Sequence, residues 1–295
     1  MLKPLHGSNG CGRWLRPAFG RTNMAIAAVP SYLGEDFSTA SPGLRFGMYL
    51  QLWGVDQKTQ ELLWGTHDLK YEVRGQYRQE RVLKEENKAS ALKAAAKFTA
   101  SDKQLMEQLL RRQQQAFAAS AYANDSLVIE AQAVAPFTTG LGNEHPLENG
   151  FSFLNPYGLP YLPGSGVKGV LRQAARELVS GEWGASQGWD SDRITALFGL
   201  ESKDGDSQHR RGALIFWDII PQIKGDHLSV EVMTPHQKHY YQEGDNPHDS
   251  GQPIPLTFLT VPPGSDFTFH VQCNRALLKE YPDLLEDDQW HRLLP

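Results

Sequence analysis

The chain has 295 residues, 40% of them hydrophobic and 21% charged, and a formal net charge of −5. That length and composition hold one large domain or two small ones with proper cores, and they exclude wholesale disorder. The acidic balance excludes a general polycation, so a nucleic-acid partner would be held by a local basic surface. Two cysteines, Cys11 and Cys273, with no C-x-x-C pair, argue against a thiolate zinc site and a disulfide scaffold, and suit a reducing cytoplasm. No apolar run reaches the roughly eighteen residues that span a bilayer.

Residues 1–45 read as an N-terminal extension, partly disordered. Arg13, Arg16 and Arg21 are not followed by an h-region, and Met24 to Val29 is too short to be one. Met24 opens a more regular sequence, so residues 1–23 are either a disordered arm or the product of a misplaced start. Residues 46–125 read as a strand plus a basic helical insertion. The run 46–53 (FGMYLQLW) predicts a strand, with Gly54 and Asp56 as the turn that ends it. Residues 70–112 carry eleven Lys or Arg against six Asp or Glu. Within them Ser101-Asp-Lys-Gln104 has the pattern of a capping box, opening a helix that buries Leu105, Met106, Leu109, Leu110 and Phe117. This insertion reads either as a solvated helix or as a basic surface facing RNA.

Residues 126–295 read as the core, compact with 46–125. A strand is predicted over 126–137, with Leu127, Ile129, Ala131 and Ala133 on one face. A turn-rich stretch from Thr138 to Gly166 follows, with six Gly and four Pro; a loop of that length in a compact domain is usually functional. Helices are predicted over 167–180 and 191–198, and strands over 212–219, 227–232, 256–261 and 266–272. The last two form a hairpin across Pro262-Pro-Gly-Ser265, and a helix over 284–294 closes the chain.

The segment that carries chemistry is Leu159-Pro-Tyr-Leu-Pro-Gly-Ser-Gly-Val-Lys-Gly-Val-Leu-Arg172. Pro160 and Pro163 stiffen the approach, and Gly164, Ser165 and Gly166 free the backbone where the helix starts. The unpaired N–H groups of a first helical turn attract a phosphate. Lys168 is placed in that turn, where the helix dipole disfavours a cation unless an anion sits beside it. Val167, Val170, Leu171, Ala174 and Leu178 are expected as the buried stripe, and Lys168, Arg172 and Arg176 as an exposed basic ridge. Two nucleotide motifs fail here. Gly164 and Gly169 have P-loop spacing, but Val170-Leu171 stands where Lys-Ser or Lys-Thr is required, and Gly140-Leu-Gly142 lacks the third glycine of the dinucleotide fingerprint.

The run Gly158 to Arg172 is similar to the loop-helix signature of RAMP proteins, the RNA-binding superfamily of CRISPR systems. The flanking blocks Thr139–Pro146, Gly212–Asp218, Thr234-Pro-His236 with Tyr240-Tyr241, and Phe258–Gly264 resemble the sixth-subunit family of Cmr-type (type III-B) effector complexes. The resemblance implies an α+β fold: a ferredoxin-like, RRM-type β-α-β-β-α-β core with a helical insertion, its final strand missing where the chain stops at Pro295. It also implies a non-catalytic subunit acting in antiviral defence in the cytoplasm. Its partners would be guide RNA, target RNA and other RAMP subunits, without cofactor, metal or membrane. Gly164, Ser165, Gly166, Lys168 and Gly169 would contact the guide backbone near its 3′ end, with Arg172, Arg176, Asn143 and His145 assisting.

Other readings stay open. An endoribonuclease would use His145 as general acid or base, with Glu144 and Glu148 the acidic residues of its loop. His236 and His239 have the spacing of a metal pair, without an evident third ligand. A protein-only interaction module would bind no RNA at all. Asp218, in an apolar strand, is expected to hydrogen-bond rather than catalyse.

Overall fold

The computed structural model describes residues 27–34, 36–55, 62–63, 88–122, 125–147, 149–182, 184–200, 210–234, 255–286 and 289–294. The expectations for residues 1–23, Asp56, Glu148, His236, His239, Tyr240 and Tyr241 lie outside these. In chain order the elements are helix α1 (Pro42–Gly47), strands β1 (Gly54–Val55) and β2 (Leu62–Leu63), and helices α2 (Lys88–Ala95) and α3 (Ala100–Ala118). Strands β3 (Ser126–Gln132), β4 (Phe153–Leu154) and β5 (Leu159–Pro160) follow, then helices α4 (Gly164–Ser180) and α5 (Ser191–Phe198). Strands β6 (Leu214–Phe216), β7 (Ser229–Met233), β8 (Leu256–Thr260) and β9 (Asp266–Cys273) precede two short helices, α6 (Pro282–Leu285) and α7 (Gln289–Arg292). The fold is α+β with antiparallel pairing. It divides into two compact units: Met1–Thr99 with Gly140–Gly158 and Asp226–Thr260, and Ala100–Thr139 with Leu159–Gly225 and Val261–Pro295.

In the first unit, β7 and β8 pair from Ser229↔Thr260 to Met233↔Leu256, and α2 packs on both. The strand expected over 46–53 does not form. Pro42 at the first helical position, with its φ already helical, starts α1, which takes in Phe46 and Gly47. Gly54, expected in a turn, lies in β1 opposite Leu63. The apolar spacing that suggested a strand is real, since Phe46, Leu50 and Leu52 are all buried, but a bent chain buries them. Arg45 is buried beside them. Its guanidinium donates to the carbonyls of Ala40 (2.9 Å), Ala94 (2.7 Å) and Lys97, so its charge sits at the carbonyl-rich C-terminus of α2.

In the second unit the sheet order is β3-β9-β6. Both outer strands run antiparallel to β9 and therefore parallel to each other, and α4 lies between them in the chain as a β-α-β crossover. The strand expected over 126–137 is β3, shortened at Gln132, with a single bridge from Phe137 to Val261 beyond it. Among the described residues β9 is its only strand partner. The hairpin expected across Pro262–Ser265 is absent. β8 pairs with β7, and β9 already has a partner on each edge. The terminal helix expected over 284–294 is α6 and α7, two four-residue pieces.

Both faces of this sheet are packed at β9, while at the outer strand β3 Val128, Glu130 and Gln132 stay exposed on the side of His270. Val271 and Cys273 of β9 join a core with Ala175 of α4, Ile194 and Leu197 of α5, Leu214, and the fully buried Trp290 of α7. The opposite face carries His270 and Gln272, both buried, and α3 lies over it. The Phe117 ring stands 4.7 Å from His270 and 5.4 Å from Trp217, while Gln272 Nε2 donates to Ser120 Oγ. Met106, Leu109 and Phe117 are buried as expected, and Leu105 and Leu110 are half-buried. The helix starts at Ala100, so Ser101 is inside it rather than capping it.

Candidate nucleic-acid interface

Helix α4 begins three residues earlier than its apolar pattern suggests. Pro163 is the extended N-cap residue, so Gly164, Ser165 and Gly166 form the first turn and Lys168 lies in the second. Gly164 is there for packing: a Cβ on it would collide with the carbonyls of Phe216 and Trp217. Asp218 Oδ1 accepts the Gly164 N–H at 2.8 Å, and the Gly166 N–H turns back to the Pro163 carbonyl at 2.9 Å. The expectation of a ring of outward N–H groups waiting for phosphate is therefore corrected. A carboxylate of the chain already takes one of those donors, the hydrogen-bonding role foreseen for Asp218. At the far end Gly181, in the left-handed conformation (φ 83°), closes the helix by donating to Glu177 and Leu178.

The faces of α4 are turned relative to the expectation. Val170 is 70% exposed and Ala174 is exposed, whereas Ala175 is buried and Leu171 and Leu178 pack against the core. Lys168, Arg172 and Arg176 do recur along one side, but as a half-buried shoulder rather than an exposed ridge. Lys168 Nζ donates to the Leu214 carbonyl at 2.8 Å, and Arg172 Nη2 to the Gly199 carbonyl at 3.0 Å. Burial first, then the charges of Arg211 and Arg172, hold the Lys168 amine below the usual lysine range.

Beside that shoulder the helix shows Ser165, Gly166, Gly169, Val170 and Gln173 to solvent. A Cβ on Gly166 or Gly169 would meet nothing within 4 Å, so internal packing does not account for either glycine. Each destabilises a helix by about 0.5–1 kcal/mol relative to alanine. The consequence is a strip of bare backbone that another chain can approach closely, bordered by cations. On the α3 side of the sheet, by contrast, the exposed residues of β3 are Val128, Glu130 and Gln132, none of them an aromatic on which a base could stack as in RRM domains.

Asn143 and His145 lie in the first unit. Asn143 is exposed, and its backbone N–H closes a turn onto Gly140 at 3.0 Å. His145 is engaged at both nitrogens. Nδ1 accepts the Leu147 N–H at 3.1 Å, which leaves Nε2 as the donor to the Phe46 carbonyl at 2.9 Å. Its ring stacks on Phe46 at 3.8 Å, and burial pushes its pKa down, so the imidazole is held neutral. Glu144 is exposed beside it. Among the described residues no three His, Cys, Asp or Glu side chains gather as a metal group. No described helix is long and apolar enough to cross a membrane.

Two features are not among the sequence expectations: Arg211 acts on Lys168, and α3 packs on the sheet at His270 and Gln272. The Arg-Arg-Gly run before β6 was the available signal for the first; nothing in the helix's own pattern says which surface it covers.

A β-α-β crossover on an antiparallel sheet, led in by a Pro-Gly-Ser-Gly helix start, defines the class. The family model for the RAMP superfamily matches residues 130–294, more than half of the chain, and the chain belongs to that superfamily. Among curated proteins it is similar to the CRISPR system Cmr subunit Cmr6 of Pyrococcus furiosus, 27% identical over 178 residues that cover 42% of this chain and 50% of that protein. It is also similar to the Cmr6 subunit of Saccharolobus solfataricus, 28% identical over 151 residues covering 50% of this chain and 45% of that protein. The chain thus spans about half the length of the curated relatives it matches. Among solved structures the chain is similar to one in the type III-B Cmr-beta complex bound to cognate target RNA, with TM-score 0.46 and 20% identity over 68% of this chain and 62% of that one. The crystal structure of Cmr6 from Pyrococcus furiosus matches with TM-score 0.31 and 23% identity over 58% of this chain and 89% of that one.

Proposed function

We propose that this chain is a non-catalytic, Cmr6-like subunit of a type III-B CRISPR effector complex that grips the guide-RNA backbone near its 3′ end. In this reading it works in the cytoplasm beside other RAMP subunits and target RNA. Its second unit is the ferredoxin-like part of the protein: with β3, β6 and β9 as first, second and third strands, the order β3-β9-β6 is first-third-second, and the place beside β3 belongs to a fourth. Membership of the RAMP superfamily and similarity to two Cmr6 subunits support the assignment.

The observation that carries the RNA contact is the exposed strip of α4. Gly166 and Gly169 leave its backbone bare where the fold has no need of glycine, and Lys168, Arg172 and Arg176 border it. Such a surface recognises a sugar-phosphate backbone and not base identity. His145 is read as structural, because both of its ring nitrogens serve the first unit.

The test is ultraviolet crosslinking of the full chain, co-expressed with its neighbouring subunits and a guide RNA, followed by mass spectrometry of crosslinked peptides. The peptide spanning 164–176 should carry nucleotides from the 3′ part of the guide, whatever its sequence. Crosslinks confined to other segments, or none in an assembled complex, would remove the assignment.

A further inference from the structure

Two arginines precede β6, and the structure treats them differently. Arg210 is committed: its Nη2 donates to Glu280 Oε2 at 2.7 Å, and its guanidinium carbon lies 5.3 Å from the centre of the Tyr281 ring. Arg211 is exposed and makes no hydrogen bond or ion pair with any described residue. Its position is nonetheless fixed. Gly199, at φ 97°, and Gly212 let two backbone segments cross so closely that a Cβ on either would collide with the other strand. The Leu200 N–H donates to the Arg210 carbonyl and the Ala213 N–H to the Ala196 carbonyl, both at 2.9 Å, and Arg211 bridges Gly199 directly.

That crossing brings Arg211 to the cationic shoulder of α4. Arg172 Nη2 is bonded to the carbonyl of Gly199, the residue opposite Arg211. Lys168 Nζ is bonded to the carbonyl of Leu214, three residues beyond Arg211. The Nε of Arg172 is buried with no acceptor among the described residues. Three positive charges therefore share one small region, and the charges acting on Lys168 are those of Arg211 and Arg172. Like charges held together by a built backbone crossing repel one another, and an anion between them relieves the repulsion. Two guanidinium groups flanking an ammonium suit the oxygens of a phosphate.

We propose that Lys168, Arg172 and Arg211 form a seat for one phosphate group, a phosphodiester of the bound RNA backbone, with Arg211 supplying the uncommitted guanidinium. The RNA source of the phosphate rests on the function proposed above. The seat itself rests on the crossing of Gly199 and Gly212.

The experiment has two arms on the full chain, using wild type, Arg211→Gln and Arg211→Lys. In the first, inorganic phosphate is titrated while thermal unfolding is followed; it should raise the midpoint of wild type and leave that of Arg211→Gln unmoved. In the second, labelled single-stranded RNAs of two unrelated sequences are bound between about 50 and 200 mM salt. Loss of one phosphate contact should make the slope of log affinity against log salt shallower by about 0.7 in Arg211→Gln, for both sequences alike. Arg211→Lys should keep most of the wild-type slope. Circular dichroism of Arg211→Gln checks that the exposed substitution leaves the fold intact. If wild type binds RNA and Arg211→Gln gives the same slope, the RNA seat is refuted while the broader function stands. A phosphate shift that persists in that case identifies a site for free phosphate only. If wild type binds no RNA, the broader function fails, and absence of a phosphate shift as well overturns the seat itself.

Discussion

Replacing Gly169 by alanine should make this protein more stable, and replacing it by a long side chain should make it a worse RNA binder. The site is interior to α4, at the sixth position from Gly164, where glycine is about 0.5–1 kcal/mol less favourable than alanine. A Cβ there meets nothing within 4 Å, so no collision offsets the gain. For a protein of this size the gain corresponds to roughly 1–4 °C in the unfolding midpoint. Gly164→Ala, at the start of the same helix on the buried side, is the control: its Cβ runs into the carbonyls of Phe216 and Trp217, and overpacking of that kind costs about 1–3 kcal/mol. Gly169→Gln keeps the helical gain but lays a side chain over the bare backbone. RNA affinity should then fall by about tenfold, or ~1.4 kcal/mol. Thermal denaturation measures the first effect and fluorescence anisotropy with labelled RNA the second. Destabilisation by Gly169→Ala would show that the position is packed after all. Wild-type affinity in a folded Gly169→Gln would show that RNA does not approach this strip.

Other outcomes follow from single contacts. Asp218→Ala removes the acceptor of the Gly164 N–H and should lower stability by about 1 kcal/mol, the usual worth of a helix N-terminal cap, read by chemical denaturation. Lys168→Met should lose no more than about 1 kcal/mol, the net worth of its bond to the Leu214 carbonyl, yet weaken RNA binding equally for every sequence tested. His145→Ala breaks two hydrogen bonds and a ring stack and should destabilise by about 1–3 kcal/mol, while target cleavage by a complex that still assembles is unchanged. Loss of a cut site with assembly intact would make this chain a nuclease. His145 and His270 both have pKa values lowered from 6.5 by burial, so below that pH the unfolded chain takes up protons before the folded chain does. Stability should be flat in these two groups above pH 6.5 and fall below it. An unfolding midpoint at about pH 5 that matches the one at neutral pH would contradict that sign.

How much of this was legible beforehand depended on the range of the interaction involved. Helix α5 was read to the residue, because Asp190 caps it locally and its apolar residues repeat on one side. The order of two helices followed by four strands, α4 to β9, is likewise present in hydrophobic period and turn residues. Strand 46–53 was misread because alternation of apolar residues records burial, and a bent chain beginning with a proline-led helix buries the same residues. The start of α4 was placed late because Gly164 and Gly166 are poor helix formers; the side chain of Asp218, fifty-four residues away, holds the first turn. The buried stripe of α4 was rotated for a related reason. Its Lys168 and Arg172 lie on a half-buried side where carbonyls of Leu214 and Gly199 receive them, and a sequence period treats every cation as solvated.

Which segment matters is legible from the residues alone, since the Pro-Gly-Ser-Gly-Val-Lys-Gly run concentrates backbone freedom and a positive charge in seven residues of chain. So is the α+β class, through local period, and the superfamily, through that same run. Packing between distant segments settles which sides of α4 face solvent, that α3 lies over His270 and Gln272 of the sheet, and that Arg211 joins Lys168 and Arg172. Those outcomes depend on contacts between residues far apart in the chain, such as the crossing of Gly199 with Gly212 and of Gly164 with the carbonyls ahead of Asp218. A period of 3.6 or 2 carries the orientation of a residue about its own element, but not the identity of what that element meets.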